Sequence, residues 1–334
     1  MDVLVLGGTV FLSRAVAELA VARGHTVTTF NRGRTGKPVA GARSIVGDRT
    51  RPEDLAQLTD SPFDLVFDTG YLPEVVNATA RLLEPTAAHY AFISSINAFP
   101  GWPAAADYRA GGVYDGNPDA IGEQVPENLA DAGPYGWRKV GAERAVLRAF
   151  GPDRTSILRA GLIIGPHDES GRLPWWLNRI ARGGKVLAPG NPGDPVRLID
   201  ARDIAEFALT RTPGTFEVTG PAGQLTRGQL FELARSVTGS DATFGWVPDD
   251  VLQAAGVQGW TELPLWLPAA QAPGAWLNDT TPAEAAGLRT RPLSQTLADT
   301  WAWMKSIEGG WQPSEHTPGL DQAREEQLLA EDRG

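Results

Sequence analysis

The chain contains no cysteine in 334 residues. Disulfides and cysteine-ligated metal centres are therefore excluded. Lysine is almost as scarce: Lys37, Lys139, Lys185 and Lys305 stand among 30 basic residues otherwise supplied by arginine, against 40 acidic ones. A formal net charge of -10 and a pI near 5.0 argue against general nucleic-acid binding, which needs clustered cations facing phosphates. The histidines are His25, His89, His167 and His316, far apart in sequence. Only "HDE" at His167–Glu169 is locally rich in ligands. It lacks the i,i+4 spacing of a helical metal site and reads as a solvated loop. No run of 18 apolar residues occurs, so no membrane span is expected. An apolar strand follows Met1 and Asp2 directly, without the basic segment of a signal peptide. The expectation is a soluble, cytoplasmic protein that acts on a small molecule.

What is present is a core-forming composition, 42% hydrophobic, arranged in alternating patterns. Short apolar runs at residues 3–6, 25–30, 43–47, 64–69, 89–95 and 155–160 alternate with helical periodicity at 12–20, 52–58, 73–84 and 135–150. Continuous apolar strands are those buried on both faces, and their alternation with helices predicts a doubly wound parallel α/β sheet. The stretch from Phe99 to Gly133 is too long for a simple connection and is either a functional loop or a surface excursion. After Gly165 the composition turns to tryptophan, proline and glycine, with Trp175, Trp176, Trp246, Trp260, Trp266 and Trp276. The reading is a first domain over 1–168 with about 197–212, a smaller interleaved substrate lobe over 169–196 and 213–320, and a polar, frayed tail over 321–334.

The first strand runs into "GGTVFLSR" (Gly7–Arg14). Backbone N–H groups at a helix start form an anion site, and glycines let a pyrophosphate approach. Here Val10 and Ser13 replace the second and third glycines of the usual fingerprint, so by itself the loop reads equally as a plain turn. If it is a cofactor loop, Val10 must sit at φ < 0 and the Ser13 hydroxyl should bond nearby backbone. The second strand ends in "FNRGRT" (Phe30–Thr35), with Asn31, Arg32 and Arg34 where NAD sites place a carboxylate. Two guanidiniums suit the 2′-phosphate of NADP. Asp48, at the end of the third strand, is placed to hold an adenine amino group.

The most specific signal is "PYGWRKVGAE" (Pro134–Glu143). Tyr135 and Lys139 lie four apart, on one helical face. A phenol near pKa 10 needs help to serve as an acid–base, and a neighbouring ammonium favours the phenolate. With so few lysines and tyrosines, such a pair arises by chance about 6% of the time. "FISSINAF" (Phe92–Phe99) offers Ser94 and Ser95 at the carboxyl edge of the sheet, where ligands of open sheets bind.

Taken together, "GGTVFLSR", "GDR", "FISSINAF", "PYGWRK", "LRAGLIIGP" and "RLIDARDIAEFAL", in that order over about 210 residues, resemble the extended short-chain dehydrogenase/reductase superfamily, in its NAD-dependent epimerase/dehydratase group. "ELPLWLP" resembles a bacterial branch whose loop reads Gly-Gly-Thr-x-Phe-x-Gly. The resemblance implies a Rossmann-type fold and a Ser95–Tyr135–Lys139 catalytic set. Tyr135 would exchange the proton, Ser95 would hold the substrate oxygen, and Lys139 would anchor the cofactor ribose and tune Tyr135. It implies cofactor contacts at Gly7, Thr9, Val10, Phe11, Leu12, Asn31, Arg32, Arg34, Asp48, Arg49, Thr69, Gly70, Ser94 and Leu162. It implies substrate contacts at Tyr71, Ser95, Asn97, Trp175, Trp176 and Arg197, no metal, and a homodimer. NADP(H) is favoured, with NAD(H) open. The leading expectation is an NADPH-dependent carbonyl reductase or alcohol dehydrogenase. A nucleotide-sugar epimerase with retained NAD stays open, as does a non-catalytic cofactor-sensing or RNA-binding relative. Ile96 and Asn97 stand where dehydratases of the group carry an acidic pair, which counts against dehydration.

Overall fold

The computed structural model describes residues 1–122, 125–126, 129, 133–314 and 317–331. His316 and the last three tail residues lie outside the described residues. The first half alternates as its pattern predicts: β1 (Asp2–Leu6), α1 (Phe11–Ala22), β2 (Thr26–Asn31), β3 (Arg43–Val46), α2 (Pro52–Ala56), β4 (Leu65–Asp68), α3 (Pro73–Leu83), β5 (Tyr90–Ser95), α4 (Gly133–Phe150) and β6 (Thr155–Ala160). The second half comprises β7 (Leu162–Ile164), α5 (Arg172–Ala181), β8 (Lys185–Pro189), β9 (Pro195–Val196), β10 (Leu198–Asp200), α6 (Ala201–Ala208), β11 (Gly214–Val218), β12 (Leu225–Thr226), α7 (Arg227–Thr238), β13 (Thr243–Val247), α8 (Asp249–Ala254), α9 (Thr281–Ala285), α10 (Leu293–Ser306) and α11 (Gln322–Glu331).

Seven parallel strands form the central sheet in the order β11-β6-β5-β4-β1-β2-β3. Side chains alternate across it, as a strand requires. Val3, Val5, Leu65, Phe67, Ala91 and Ile93 pack under α1 and α6. Leu4, Leu6, Val66, Tyr90 and Phe92 pack under α2, α3 and α4. Both faces are thus covered, which is why these strands read as unbroken apolar runs. The chain leaves β1 toward β2 on one side and β4 on the other, and the sheet opens a crevice at their carboxyl ends.

The second lobe has its own core, built from α5, β8, α7, β13, α10 and α11. α11 corrects the reading of a frayed polar tail. Leu328 and Leu329 are buried in that core, and buried Glu325 accepts from Arg179 Nε at 2.6 Å and from Leu187 N at 2.9 Å. The loop after β5 is tied down where described. Tyr108 packs on Phe99, and its hydroxyl donates to Glu217 Oε2 at 2.8 Å. Among the described residues no helix is long and apolar enough to cross a membrane.

Candidate active site

The loop after β1 takes a form that needs only its first glycines. Gly7 and Gly8 sit at φ 116° and 88°, and a Cβ on Gly8 would meet Thr29 Cγ2 at 2.5 Å. Val10 is extended, φ -135° and ψ 146°, as a β-branched residue prefers. Ser13 Oγ donates to the Val10 carbonyl at 3.0 Å, meeting the second expectation. The first turn of α1 has no side-chain cap and no acidic residue, so its N–H groups face the crevice with no competing anion. This is the arrangement a pyrophosphate fits.

A cleft of about 400 Å³ runs from this loop across the ends of β1, β2, β3 and β4. It is lined by Gly7, Thr9 and Val10, by Asn31, Arg32 and Arg34, by Asp48 and Arg49, and by Thr69, Gly70 and Tyr71. Asn31 shapes the loop itself. Its Nδ2 donates to the Gly7 carbonyl at 3.1 Å, and its Oδ1 accepts from Gly33 N at 2.9 Å. Thr50, through its N–H and its hydroxyl, holds the Asp48 carboxyl below the usual range. The Arg49 guanidinium forks onto buried Asp68 at 2.7 and 2.8 Å, beneath the cleft. Asp68 also accepts from Tyr90 Oη at 2.6 Å and from Gly70 N at 2.7 Å. The pair braces the cleft floor, and Arg49 itself lines the cleft.

At the other end of the crevice the catalytic candidates meet. Asn97 N donates to Ser95 Oγ at 3.1 Å, and the Ser95 side chain lies close enough to the Tyr135 phenol to lower its pKa. Gly136 permits the approach, because a Cβ there would lie 1.9 Å from the Asn97 carbonyl oxygen. Tyr135 is 40% exposed, yet the protein packed around it raises its pKa; Ser95 and then the Arg172 guanidinium pull it back. Lys139 is buried, with Nζ 5.9 Å from the Tyr135 ring centroid. Burial pushes its pKa down to about 8. Its three hydrogens go to the carbonyls of Ile93 at 2.5 Å, Gly70 at 2.7 Å and Thr69 at 3.4 Å. Lys139 therefore clamps β5 to the floor after β4. Lys139 also lies over the Tyr135 ring, and the Arg172 charge adds to the lowering of the phenol pKa.

Other sequence-predicted residues lie elsewhere. Ser94 is turned away from the cleft, its Oγ donating to Glu143 Oε1 at 2.5 Å, and Glu143 pairs with Arg159 at 2.7 Å. Leu162 belongs to the second-lobe core, whereas Phe11 and Leu12 open the first turn of α1 at the crevice with their side chains packed against the sheet. Trp175 and Trp176 are core residues as well, edge to face at 4.7 Å, with Trp176 Nε1 donating to the Pro264 carbonyl at 2.5 Å. Arg197 is buried and spends its donors on the protein. It bonds the carbonyls of Gly220 at 2.8 Å, Trp276 at 3.2 Å and Asn278 at 2.5 Å, and the Thr280 hydroxyl at 3.2 Å. Four of its five N–H donors are thus used within the protein. The "HDE" segment is not a solvated loop either: Asp168 is fully buried, and His167 lies against Trp303 with centroids 5.3 Å apart. Sequence reasoning missed Arg172 entirely. Its only local signal is a single cation opening the aromatic helix "RLPWW".

A family model described as the NAD dependent epimerase/dehydratase family matches residues 3–212. A 2-alkyl-3-oxoalkanoate reductase of Stenotrophomonas maltophilia (strain K279a) is 28% identical over 222 residues. That match takes in 62% of this chain, and the chain spans 64% of the length of that curated relative. Among solved structures, a UDP-glucose 4-epimerase of Thermotoga maritima with UDP-glucose is 18% identical with a TM-score of 0.62, covering 91% of this chain and 99% of that one. A Thermus thermophilus UDP-glucose 4-epimerase in complex with NAD is 18% identical with a TM-score of 0.61, covering 92% and 100%. At these identities the likeness is one of fold.

Proposed function

The chain belongs to the NAD dependent epimerase/dehydratase family, and from that premise we propose that it is an NADPH-dependent carbonyl reductase. One observation carries the reading: Ser95, whose Oγ accepts from Asn97 N at 3.1 Å, stands beside the Tyr135 phenol at the carboxyl edge of β5. The pair supplies an acid and an oxygen-holding donor and contains no metal ligand or nucleophile–base pair. The uncapped start of α1 suits the pyrophosphate, Asp48 suits adenine, and Arg32 and Arg34, with no carboxylate at the end of β2, favour a 2′-phosphate. The nicotinamide supplies the hydride when bound. Tyr135 gives its proton to the carbonyl oxygen, and Ser95 bonds that oxygen as charge develops on it. The phenolate left on Tyr135 is stabilised by Ser95 and by the positive charge of Arg172. Lys139 keeps the cleft floor and β5 in register, so the distance from cofactor to Ser95 is fixed.

The relative named as a reductase supports this reading. Epimerisation with retained NAD is the second reading, favoured by the fold likeness to 4-epimerases. Buried, satisfied Arg197 weighs against a nucleotide diphosphate in the site. The test is stoichiometry. Purified protein with NADPH and a panel of β-keto compounds should consume one NADPH per carbonyl reduced, and Tyr135→Phe should abolish it. Tightly retained NAD with no net consumption would select the second reading.

A further inference from the structure

Two loops border the dinucleotide cleft, and the structure bonds them into one unit. The loop after β2 is tied at its start by Asn31, whose side chain spans the Gly7 carbonyl at 3.1 Å and Gly33 N at 2.9 Å. Its far end is tied twice more. Gly36 sits at φ 66°, and a Cβ there would lie 2.2 Å from the Thr9 carbonyl oxygen in the loop after β1. One residue on, Arg14 Nη1, on the first turn of α1, donates to the Lys37 carbonyl at 3.1 Å. Arg14 is itself braced, its Nε paired with Glu18 Oε1 at 2.7 Å one turn along the helix. Between these ties lie Arg32, Gly33, Arg34 and Thr35, which line the cleft beside Thr9 and Val10. Arg14 stands outside that lining. Arg32 and Arg34 are exposed, so what fixes where their side chains start is the backbone that carries them.

Resting on the NADPH reading above, we propose that Arg14 and Gly36 are positioning residues for the 2′-phosphate of NADPH: they pin the loop after β2 to the loop after β1 and so hold Arg32 and Arg34 at the cleft. An exposed arginine loses rotamer freedom when it grips a phosphate, and a loop still free to move would lose backbone freedom as well. Tying the backbone beforehand removes the second loss, and binding gains by that difference. The effect is selective. The pyrophosphate is common to NADPH and NADH and meets the N–H groups at the start of α1. Only the extra phosphate calls on Arg32 and Arg34. Gly36 has no ready substitute, since its φ strains any other residue and the Thr9 backbone it meets belongs to a buried residue. With a side chain at that position, the exposed loop is the part that gives way.

The experiment titrates full-length protein with NADPH and with NADH and follows the ratio of the two dissociation constants. Wild type should favour NADPH. Arg14→Met should weaken NADPH about five- to tenfold and NADH by less than about twofold. Arg14→Lys, which keeps a donor for the Lys37 carbonyl, should restore part of the ratio. Gly36→Ala should shift the ratio the same way as Arg14→Met. In a chain already carrying Arg32→Ala and Arg34→Ala, Arg14→Met should move the ratio no further, because the groups it positions are gone. An unchanged ratio in Arg14→Met, an equal loss of NADH and NADPH, or the same loss in the chain lacking Arg32 and Arg34 would each overturn the proposal and leave the NADPH reading standing. A wild type that binds NADH as tightly as NADPH would remove that reading, and the proposal with it.

Discussion

Ser94 and Ser95 are adjacent on β5 and serve opposite sides of it. Ser94 Oγ donates into the buried Glu143–Arg159 pair at 2.5 Å, while Ser95 Oγ accepts from Asn97 N at 3.1 Å and stands beside Tyr135. The two positions should separate cleanly on substitution. Ser95→Ala is expected to lower kcat about 10²- to 10³-fold, as loss of an oxyanion donor does, with the melting temperature retained. Ser94→Ala should cost about 1 kcal/mol of stability and leave kcat close to wild type. Steady-state kinetics paired with thermal melts decide it. Equal kinetic losses in both would mean the strand register is misread.

The phenol sets a second expectation. Reduction needs Tyr135 protonated, so the rate should hold at low pH and fall as pH rises through the Tyr135 pKa. Burial raises that pKa, and Ser95 and Arg172 lower it. Ser95→Ala and Arg172→Met should therefore both move the falling limb to higher pH. A limb that stays in place in both variants would assign it to another group.

The proposed preference for NADPH rests on exposed charges at the end of β2. Replacing Arg32 and Arg34 together by alanine should weaken NADPH about ten- to a hundredfold and NADH far less. Fluorescence titration of both cofactors measures the ratio. Asn31→Asp is a poor route to the same end here, because Asn31 Nδ2 donates to the Gly7 carbonyl at 3.1 Å and an aspartate would face that oxygen unpaired.

His89 governs acid stability. Ser156 Oγ gives its hydrogen to the Thr212 carbonyl at 2.6 Å, so it accepts from His89 Nε2–H at 2.7 Å. Burial, then the Arg211 charge, push the His89 pKa down to about 4. The unfolded chain takes up this proton near the ordinary histidine value of 6.5, well before the folded chain does. The contribution of His89 is complete above pH 6.5 and lost as pH falls toward 4, a range of about 3 kcal/mol. Urea midpoints across that window should fall for wild type and flatten for His89→Gln. A parallel slope in both proteins would refute the assignment.

The family and the doubly wound sheet were legible because their signals are local. Strand and helix periods show over six to twelve residues, and Tyr135 and Lys139 meet by helical spacing alone. What escaped depends on partners far along the chain. Nothing in "SS" tells which serine faces the cleft, since a strand assigns faces by register. Arg197 has the chemistry of an anion site, but Gly220, Trp276 and Asn278 fill it from 23, 79 and 81 residues away. Trp175 and Trp176 have the composition of a pocket wall and the positions of a core. Arg172 is the converse case: unremarked in sequence, it meets the Trp260 ring only when the second lobe folds, and its charge then bears on the Tyr135 phenol.

The docking of α11 bears on the order in which these parts are assembled. Until Glu325 arrives, Arg179 keeps its charge inside α5 with only carbonyls for company, and Leu187 N on β8 lacks its acceptor. α5 is also the helix that carries Arg172. During synthesis the nucleotide crevice, made by the first hundred or so residues with α4, can form while the substrate half waits for the final helix. A chain stopped short of α11 would leave Arg179 and Leu187 N without the carboxylate that ties α5 to β8.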